Sequence, residues 1–311
     1  MRSIIQKKLF STIMILRNIP KQGIRSTINS LIKGLVCTFK SSNIMKETKR
    51  HLDFEFRIVE HCNLNCSGCY TFAPLAKEKY MSVESINNDL LRLKNLSPKN
   101  NLIKVITLSG GEPLLHPDLI KIISMVRFHF PELSFLQLIT NGILLKQMNN
   151  TFWEVVKKNN LQILVTKYPN INYEEIFDYA KDNGYILKYL ANNSNEKQKF
   201  WKYNINFTGT INIKKQFARC YLGNRCTEIS AGKFYSCIFP AHVHNFNTYF
   251  NQNIPVTEKD YFDIYRAKNI KQILQFASKP MPICRYCNCQ FIHGGDMAWS
   301  KSKKEMSEWV E

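Results

Sequence analysis

The sequence predicts an α/β protein built on a parallel sheet. Three observations point there. Short β-branched or alternating apolar runs recur along the middle of the chain. Amphipathic stretches with helical spacing lie between them. The two alternate in strict succession over about 160 residues, a pattern that parallel strands with right-handed crossovers accommodate. With 311 residues, 44% hydrophobic, 12% aromatic and 22% charged, the chain can bury a large core, and disordered or fibrous classes are excluded.

The elements follow in order. "FEFRIVE" (54–60) alternates as a strand and runs directly into "EHCNLNCSGCY" (60–70). "SVESINNDLLRL" is a helix with Ser82 as N-cap and Ile86, Leu90 and Leu93 on one face. "IKVITLS" (103–109) is a buried strand that ends in "GGEP"; Leu119, Ile122, Ile123 and Val126 mark the next helix. "SFLQLIT" (134–140) is a third strand, closed by "NG", and a helix spans 144–158. "LQILVTKYP" is a fourth strand. Asn172 and Glu175 form a capping box for a further helix, "YILKYL" is a fifth strand, and "INFTGTINI" (205–213) alternates once more. Beyond 214 the rhythm breaks, so a boundary is expected near 213–216. In such sheets ligands sit at the carboxyl ends of the strands. The cysteine loop, the "GGEP" turn, the "TNG" turn and "TKYP" all belong to that rim.

The charge is uneven. The chain carries 43 Lys and Arg against 24 Asp and Glu, a net +19. Residues 1–50 hold eleven of the Lys and Arg and one acid, Glu47, a net +10. Ile4, Leu9, Ile13 and Leu16, then Ile24, Ile28, Leu31, Ile32 and Leu35, recur at helical spacing and are split by Pro20 and Gly23. This segment reads as two basic amphipathic helices, either a Lys-rich cover for the core or a contact for an anionic membrane face or acidic partner. "LFSTIMIL" is too short for a secretory signal and lacks a cleavage site, and no run approaches the ~20 apolar residues of a spanning helix. A cytoplasmic location is expected. Ten cysteines in a long chain without an export signal then read as metal or redox ligands rather than disulfides.

Cys62, Cys66 and Cys69 stand at C-x3-C-x2-C spacing. Structural zinc takes four protein ligands and closes its tetrahedron. A [4Fe–4S] cubane likewise offers four corners to thiolates. Three thiolates leave one iron open to a reactant, as a catalytic metal keeps an open position. This motif directly after the first strand, with "GGEP" after the second, resembles the radical S-adenosylmethionine (SAM) superfamily over about residues 52–213. The resemblance implies a partial (β/α)6 TIM-like barrel. It implies a [4Fe–4S] cluster with an open iron, ligated by Cys62, Cys66 and Cys69, that chelates SAM and reduces it to a 5′-deoxyadenosyl radical. A reduced flavodoxin- or ferredoxin-type donor supplies the electron.

Neighbouring residues suit cofactor binding. Gly110 and Gly111 let backbone approach a ligand closely, and Glu112 offers a carboxylate to the SAM ammonium. Tyr70 is placed against the adenine by the resemblance, and in the core by its residue type alone. Thr140 and Asn141 stand where relatives contact ribose or carboxylate, though a plain "NG" turn needs no function. Lys167 and Tyr168 end the next strand at the same rim, Lys167 as a substrate contact or a salt-bridge partner.

Cys220, Cys237, Cys284 and Cys287, with "GKFYSC" (232–237), resemble the twitch domain, a shortened SPASM domain that holds one auxiliary [4Fe–4S] cluster. Zinc is the alternative at these four positions, and Cys226 can replace Cys220. The domain organisation expected is 1–50 as a basic helical extension, 51–213 as the radical SAM core and 214–311 as the auxiliary-cluster domain. An auxiliary cluster that accepts an electron makes a dehydrogenase. A thiol that returns a hydrogen atom, from spare Cys226 or Cys289, makes an epimerase. His242 and His244, with no acidic neighbour in sequence, read as ordinary strand or loop histidines. Asp296 and Trp299 in "HGGDMAWS" are candidates for the pocket mouth.

Relatives with such domains act on peptides or on carbohydrates and cyclitols. The short basic segment before the core favours a small substrate over a leader-bearing peptide, and several motifs resemble members tied to sugar and surface-polysaccharide pathways. A sugar or cyclitol is the expected substrate, with a peptide or protein maturase as the alternative. The basic balance also suits a phosphorylated or nucleotide-linked sugar. An iron–sulfur or zinc module on nucleic acid fits the charge but not the motif pair, so no nucleic acid is expected.

Overall fold

Alternation along the first strand sends Phe54, Phe56 and Ile58 to one side of the sheet, where each is buried, and Glu55 and Arg57 to the other. This split organises the molecule. The structure is a computed structural model that describes residues 52–98, 102–169, 171–190, 202–220, 227–288 and 298–310. The basic segment, Cys226, Cys289 and Asp296 lie outside the described residues.

Strand β1 (Leu52–Val59) is followed by helix α1 (Val83–Leu96), β2 (Ile103–Gly110), α2 (Leu119–His129), β3 (Phe135–Thr140), α3 (Asn150–Lys158), β4 (Leu161–Val165), α4 (Tyr173–Asp182) and β5 (Lys188–Tyr189). Then come α5 (Ile213–Arg219), β6 (Glu228–Ser230), β7 (Lys233–Tyr235), α6 (Ile238–Phe250), β8 (Phe262–Asp263) and α7 (Ile270–Ala277). All eight strands form one sheet in the order β5-β4-β3-β2-β1-β6-β7-β8. The pairs from β5 through β1 to β6 are parallel, and only β6·β7 and β7·β8 are antiparallel. The fold is thus mixed α/β with a mostly parallel sheet. It also crosses position 213, because β6 pairs with β1.

The helices start where side-chain caps dictate. Ser82 Oγ accepts from Ser85 N at 3.1 Å, and Asn149 Oδ1 accepts from Phe152 N at 3.0 Å. Asn149 also divides the helix expected over 144–158 into a 3₁₀ turn, Leu145–Gln147, and α3. At α4 the Asn172 side chain accepts from Glu175 N and its amide donates to Glu175 Oε1 at 2.9 Å, in place of the back-bond of a full capping box. Leu90, Leu93, Ile122, Val126, Trp153 and Val156 bury the helix faces against the sheet.

"INFTGTINI" does not form a strand. Ile205 makes isolated bridges to Cys287 and Val310. Asn206 Oδ1 then turns the chain by accepting from Thr208 N at 2.9 Å, Gly209 has φ +62°, and Asn212 caps α5. Local side-chain caps win over alternation because they satisfy backbone groups that an unpaired edge leaves exposed. A second core, with Phe72, Tyr203, Phe239, Phe246 and Trp309, packs beside the cysteine loop. Among the described residues, no helix is long and apolar enough to cross a membrane.

Candidate active site at the carboxyl rim of the sheet

Because β1 to β4 are parallel, their carboxyl ends share one rim. The cysteine loop leaves β1 there and is held from several sides. On one side, Val59 bridges Tyr80, and Glu60 N donates to Lys79 O at 3.1 Å. On another, Gly111 N donates to Val59 O at 2.7 Å and Glu112 N to His61 O at 3.1 Å. A Cβ on Gly110 would fall 2.5 Å from Val59 O, and one on Gly111 would fall 2.0 Å from His61 O. The close approach these glycines permit is therefore to the chain's own backbone, the seam between β2 and the loop.

Glu112 is wholly buried. Its Oε1 accepts from Leu114 N at 3.0 Å and from Thr140 Oγ1 at 2.7 Å, and its Oε2 accepts from Asn141 N at 2.9 Å. Burial raises its pKa to about 7 against the pull of these donors. In this arrangement the carboxylate braces the ends of β2 and β3. Asn141 extends the brace: its Nδ2 donates to Asn63 Oδ1 at 2.8 Å and lies 3.8 Å from Cys62 Sγ. The Tyr173 hydroxyl sits between Asn141 O at 3.1 Å and Thr166 O at 3.0 Å, joining the ends of β3 and β4. Tyr70 packs its ring 5.0 Å from that of Tyr203, in the second core. Lys167 Nζ lies 5.5 Å from the centre of the Tyr189 ring.

The three thiols are half-buried and interact electrostatically with one another. Burial pushes Cys62 up to about 12 and Cys66 to about 11. Bound metal is what converts such thiols to thiolates. Whether a cubane suits them is tested by the groups around the sulfurs. Cys62 Sγ receives Leu64 N at 3.4 Å, and Cys69 Sγ meets Thr71 Oγ1 at 3.3 Å. Cys66 Sγ receives Trp299 Nε1 at 3.1 Å and the Tyr168 hydroxyl. Donors at every sulfur suit the negative charge that cluster thiolates carry. Among the described residues, no three His, Cys, Asp or Glu converge as one metal ion requires.

Cys220, Cys237, Cys284 and Cys287 also form a group. Cys237 and Cys287 are pushed well above the ordinary thiol range, first by burial and then by neighbouring thiols, Cys220 the foremost. Cys237 follows a tight hairpin between β6 and β7, turned by Ala231 at φ +47° and Gly232 at φ +77°. It lies at the N-terminus of α6, and the Gln216 side chain bonds the Cys287 thiol.

The two histidines depart from expectation. Both lie on α6, and the fold brings each an acid: His242 Nε2 is 2.8 Å from Glu228 Oε2, and His244 Nε2 is 3.1 Å from Glu60 Oε2. Sequence separation hid the Asn63–Asn141, Tyr173–Asn141 and Trp299–Cys66 contacts. Only the place of Asn63 inside the cysteine loop and the candidacy of Trp299 in "HGGDMAWS" hinted at them.

The opposite face of the sheet carries a polar row. Glu228, Glu55, Thr107, Gln137 and Gln162 pair in register across five parallel strands. Thr107 Oγ1 donates to Gln137 Oε1 at 3.3 Å, Gln137 Nε2 to Gln162 Oε1 at 3.2 Å, and Ser109 Oγ to Glu55 Oε1 at 2.5 Å. Arg57 reaches Glu55 at 2.9 Å and Glu228 at 3.0 Å. At the β1–β6 end of this face is a cavity of about 340 Å³, lined among others by Arg57, Glu60, Lys79, Lys233, Tyr235 and His244.

Part of the chain is similar to known proteins. The radical SAM superfamily model matches residues 56–197. The GTP 3′,8-cyclase of Paenarthrobacter nicotinovorans is 28% identical over 97 residues, 30% of this chain and 26% of that protein. The probable GTP 3′,8-cyclase of Pyrococcus abyssi (strain GE5 / Orsay) is 34% identical over 85 residues, 27% of this chain and 25% of that protein. The chain thus spans about a quarter of the length of these curated relatives. Among solved structures, BtrN in complex with AdoMet and 2-DOIA superposes at TM-score 0.47 with 12% identity, covering 79% of this chain and 98% of BtrN. Native anSMEcpe with bound AdoMet gives TM-score 0.35 and 14% identity, covering 80% and 93%. The part of the chain that is similar to the radical SAM superfamily model runs from the cysteine loop and its glycine seam to the strand ends that brace them.

Proposed function

We propose that this chain is a radical SAM oxidoreductase or epimerase that takes hydrogen from a carbon of a sugar or cyclitol. Cys62, Cys66 and Cys69 hold a [4Fe–4S] cluster, and SAM occupies its open iron. Cys220, Cys237, Cys284 and Cys287 hold an auxiliary [4Fe–4S] cluster on the chain beyond residue 213. When bound, the first cluster and SAM supply one-electron reduction of the sulfonium, drawn from a flavodoxin- or ferredoxin-type donor. The chain's residues do the rest. The Gly110–Gly111 seam fixes the loop against β2, Glu112 and Asn141 hold the strand ends beneath it, and the cavity between Arg57 and His244 lies at one end of the polar face.

The polar row carries the substrate assignment. A polyol presents hydroxyls, each both donor and acceptor; half-buried Glu55, Gln137 and Gln162, beside buried Thr107 and Ser109, offer matching groups on one face of the sheet. Dehydrogenation and epimerisation differ in whether an electron is passed on or a thiol, Cys226 or Cys289, returns hydrogen. A nucleotide substrate is the second reading, favoured by the names of the curated relatives and by Lys79, Lys233 and His244 at the cavity.

The test is release of 5′-deoxyadenosine by anaerobically reconstituted full chain with dithionite. Candidate substrates are free sugars and cyclitols, nucleotide-linked sugars, GTP and leader-bearing peptides. Reconstituted protein is expected to bind about eight irons, and joint replacement of Cys62, Cys66 and Cys69 by Ala to halve that and abolish cleavage. Stimulation by polyols supports the assignment; stimulation by GTP alone, or by peptides alone, replaces it. In deuterated water, deuterium at an inverted carbon marks the epimerase and a carbonyl product the dehydrogenase.

A further inference from the structure

We infer that Trp299 tunes the reduction potential of the cluster held by Cys62, Cys66 and Cys69, through the hydrogen bond from its indole to the Cys66 sulfur. The inference rests on the cluster assignment proposed above. Trp299 lies 233 positions from Cys66 in sequence, yet its Nε1 donates to Cys66 Sγ at 3.1 Å. The segment that carries it is strapped onto the cysteine loop by backbone. Lys301 bridges Cys66 antiparallel, Ser67 N donates to Ser300 O at 2.9 Å, and Ser302 N donates to Asn65 O at 2.8 Å. Further along, Glu305 and Glu308 form a capping box. The wholly buried Trp309 donates from Nε1 to Cys69 O at 2.9 Å. The Trp299 ring also packs edge-on against Tyr168, centroids 6.4 Å apart. The indole is therefore held by both backbone and ring contacts, not merely resting on the surface.

An indole N–H can only donate. Aimed at a cluster sulfur, its positive end stabilises the added electron of the reduced cluster and raises the potential, one of the means by which proteins set cluster potentials. Trp299 acts through Cys66 and is a positioning residue. Removing the donor is expected to lower the ratio of reduced to oxidised cluster about tenfold at a fixed potential, which is ~59 mV for a one-electron couple.

The experiment is a dithionite potentiometric titration of the reconstituted full chain, followed by electron paramagnetic resonance with and without SAM. The component whose spectrum responds to SAM is the three-cysteine cluster. Trp299→Phe removes the donor, and replacement of Trp299 by benzothienylalanine removes it while keeping the ring's shape. Both are expected to retain wild-type iron and shift the SAM-responsive midpoint downward, leaving the other component in place. An unchanged midpoint in the isostere overturns the inference. Iron loss from the isostere also overturns it, by assigning the bond to cluster retention. A wild-type chain with no SAM-responsive component would instead sink the cluster assignment itself, so the two failures are distinguishable.

Discussion

Replacing Gly111 with alanine probes how the site is seated. The new Cβ would stand 2.0 Å from the carbonyl oxygen of His61, 2.4 Å from its carbon and 2.9 Å from Glu60 O. Ordinary contact lies near ~3.5 Å, so the loop must retreat by more than ~1 Å. All three obstacles are backbone, and no rotamer change relieves them. Retreat stretches Gly111 N to Val59 O, now 2.7 Å, and Glu112 N to His61 O, now 3.1 Å. Each bond contributes about 1 kcal/mol net, and overpacking adds ~1–3 kcal/mol, for a total of about 3–5 kcal/mol. The assay is urea unfolding followed by circular dichroism. With a slope of ~3 kcal/mol/M the midpoint falls by ~1–1.7 M at unchanged slope. Gly184→Ala is the control. Its Cβ meets only the Lys157 side chain at 3.2 Å, with φ +70°, so its cost is limited to left-handed strain of ~1–2 kcal/mol. A Gly111→Ala midpoint no lower than that of Gly184→Ala refutes the seam.

Glu112→Gln should change the pH dependence of stability. The folded-state pKa of Glu112 is raised from 4.5 to about 7 by burial. Its contribution is therefore full below 4.5 and lost as pH rises through about 7, worth about 3 kcal/mol. Urea midpoints measured from pH 4.5 to 7.5 should diverge by that amount between wild type and Glu112→Gln, and parallel curves would exclude it. Arg57→Met strips the wholly buried Glu228 of a cation 3.0 Å away, costing ~3–5 kcal/mol. The melting temperature should drop, and adding Glu228→Met in the same chain should recover much of the loss. Trp309→Phe leaves Cys69 O without its 2.9 Å indole partner, at ~1–2 kcal/mol. Amide exchange across residues 62–72 should accelerate, and unchanged exchange there would contradict the strap.

Much of the fold was legible because its signals are local. The alternation of Phe54, Phe56 and Ile58 marks β1, and Ser82 and Asn172 cap the helices expected of them. The cysteine motif lies within eight residues and the GGEP turn within four, so a site built on contiguous loops can be read without coordinates. What failed involved competition or distance. Alternation over 205–213 lost to the caps of Asn206 and Asn212. The glycines were matched to a ligand; that they also sit against the backbone at Val59 and His61 needed the folded chain. His242 and His244 were read as lacking acidic partners because Glu228, on β6, and Glu60, just past the end of β1, lie 14 and 184 positions away in sequence.

By itself the amino-acid sequence determined which residue types cluster on loops and the period of each element, and hence a parallel α/β arrangement with a thiol-rich rim. Periodicity and capping act over a few residues, so they survive in one dimension. Only the tertiary structure decided that Glu228, Glu55, Thr107, Gln137 and Gln162 line up as one polar row, and that Trp299 reaches Cys66. Strand register and the docking of the last segment come from packing across the whole sheet, which no local pattern encodes.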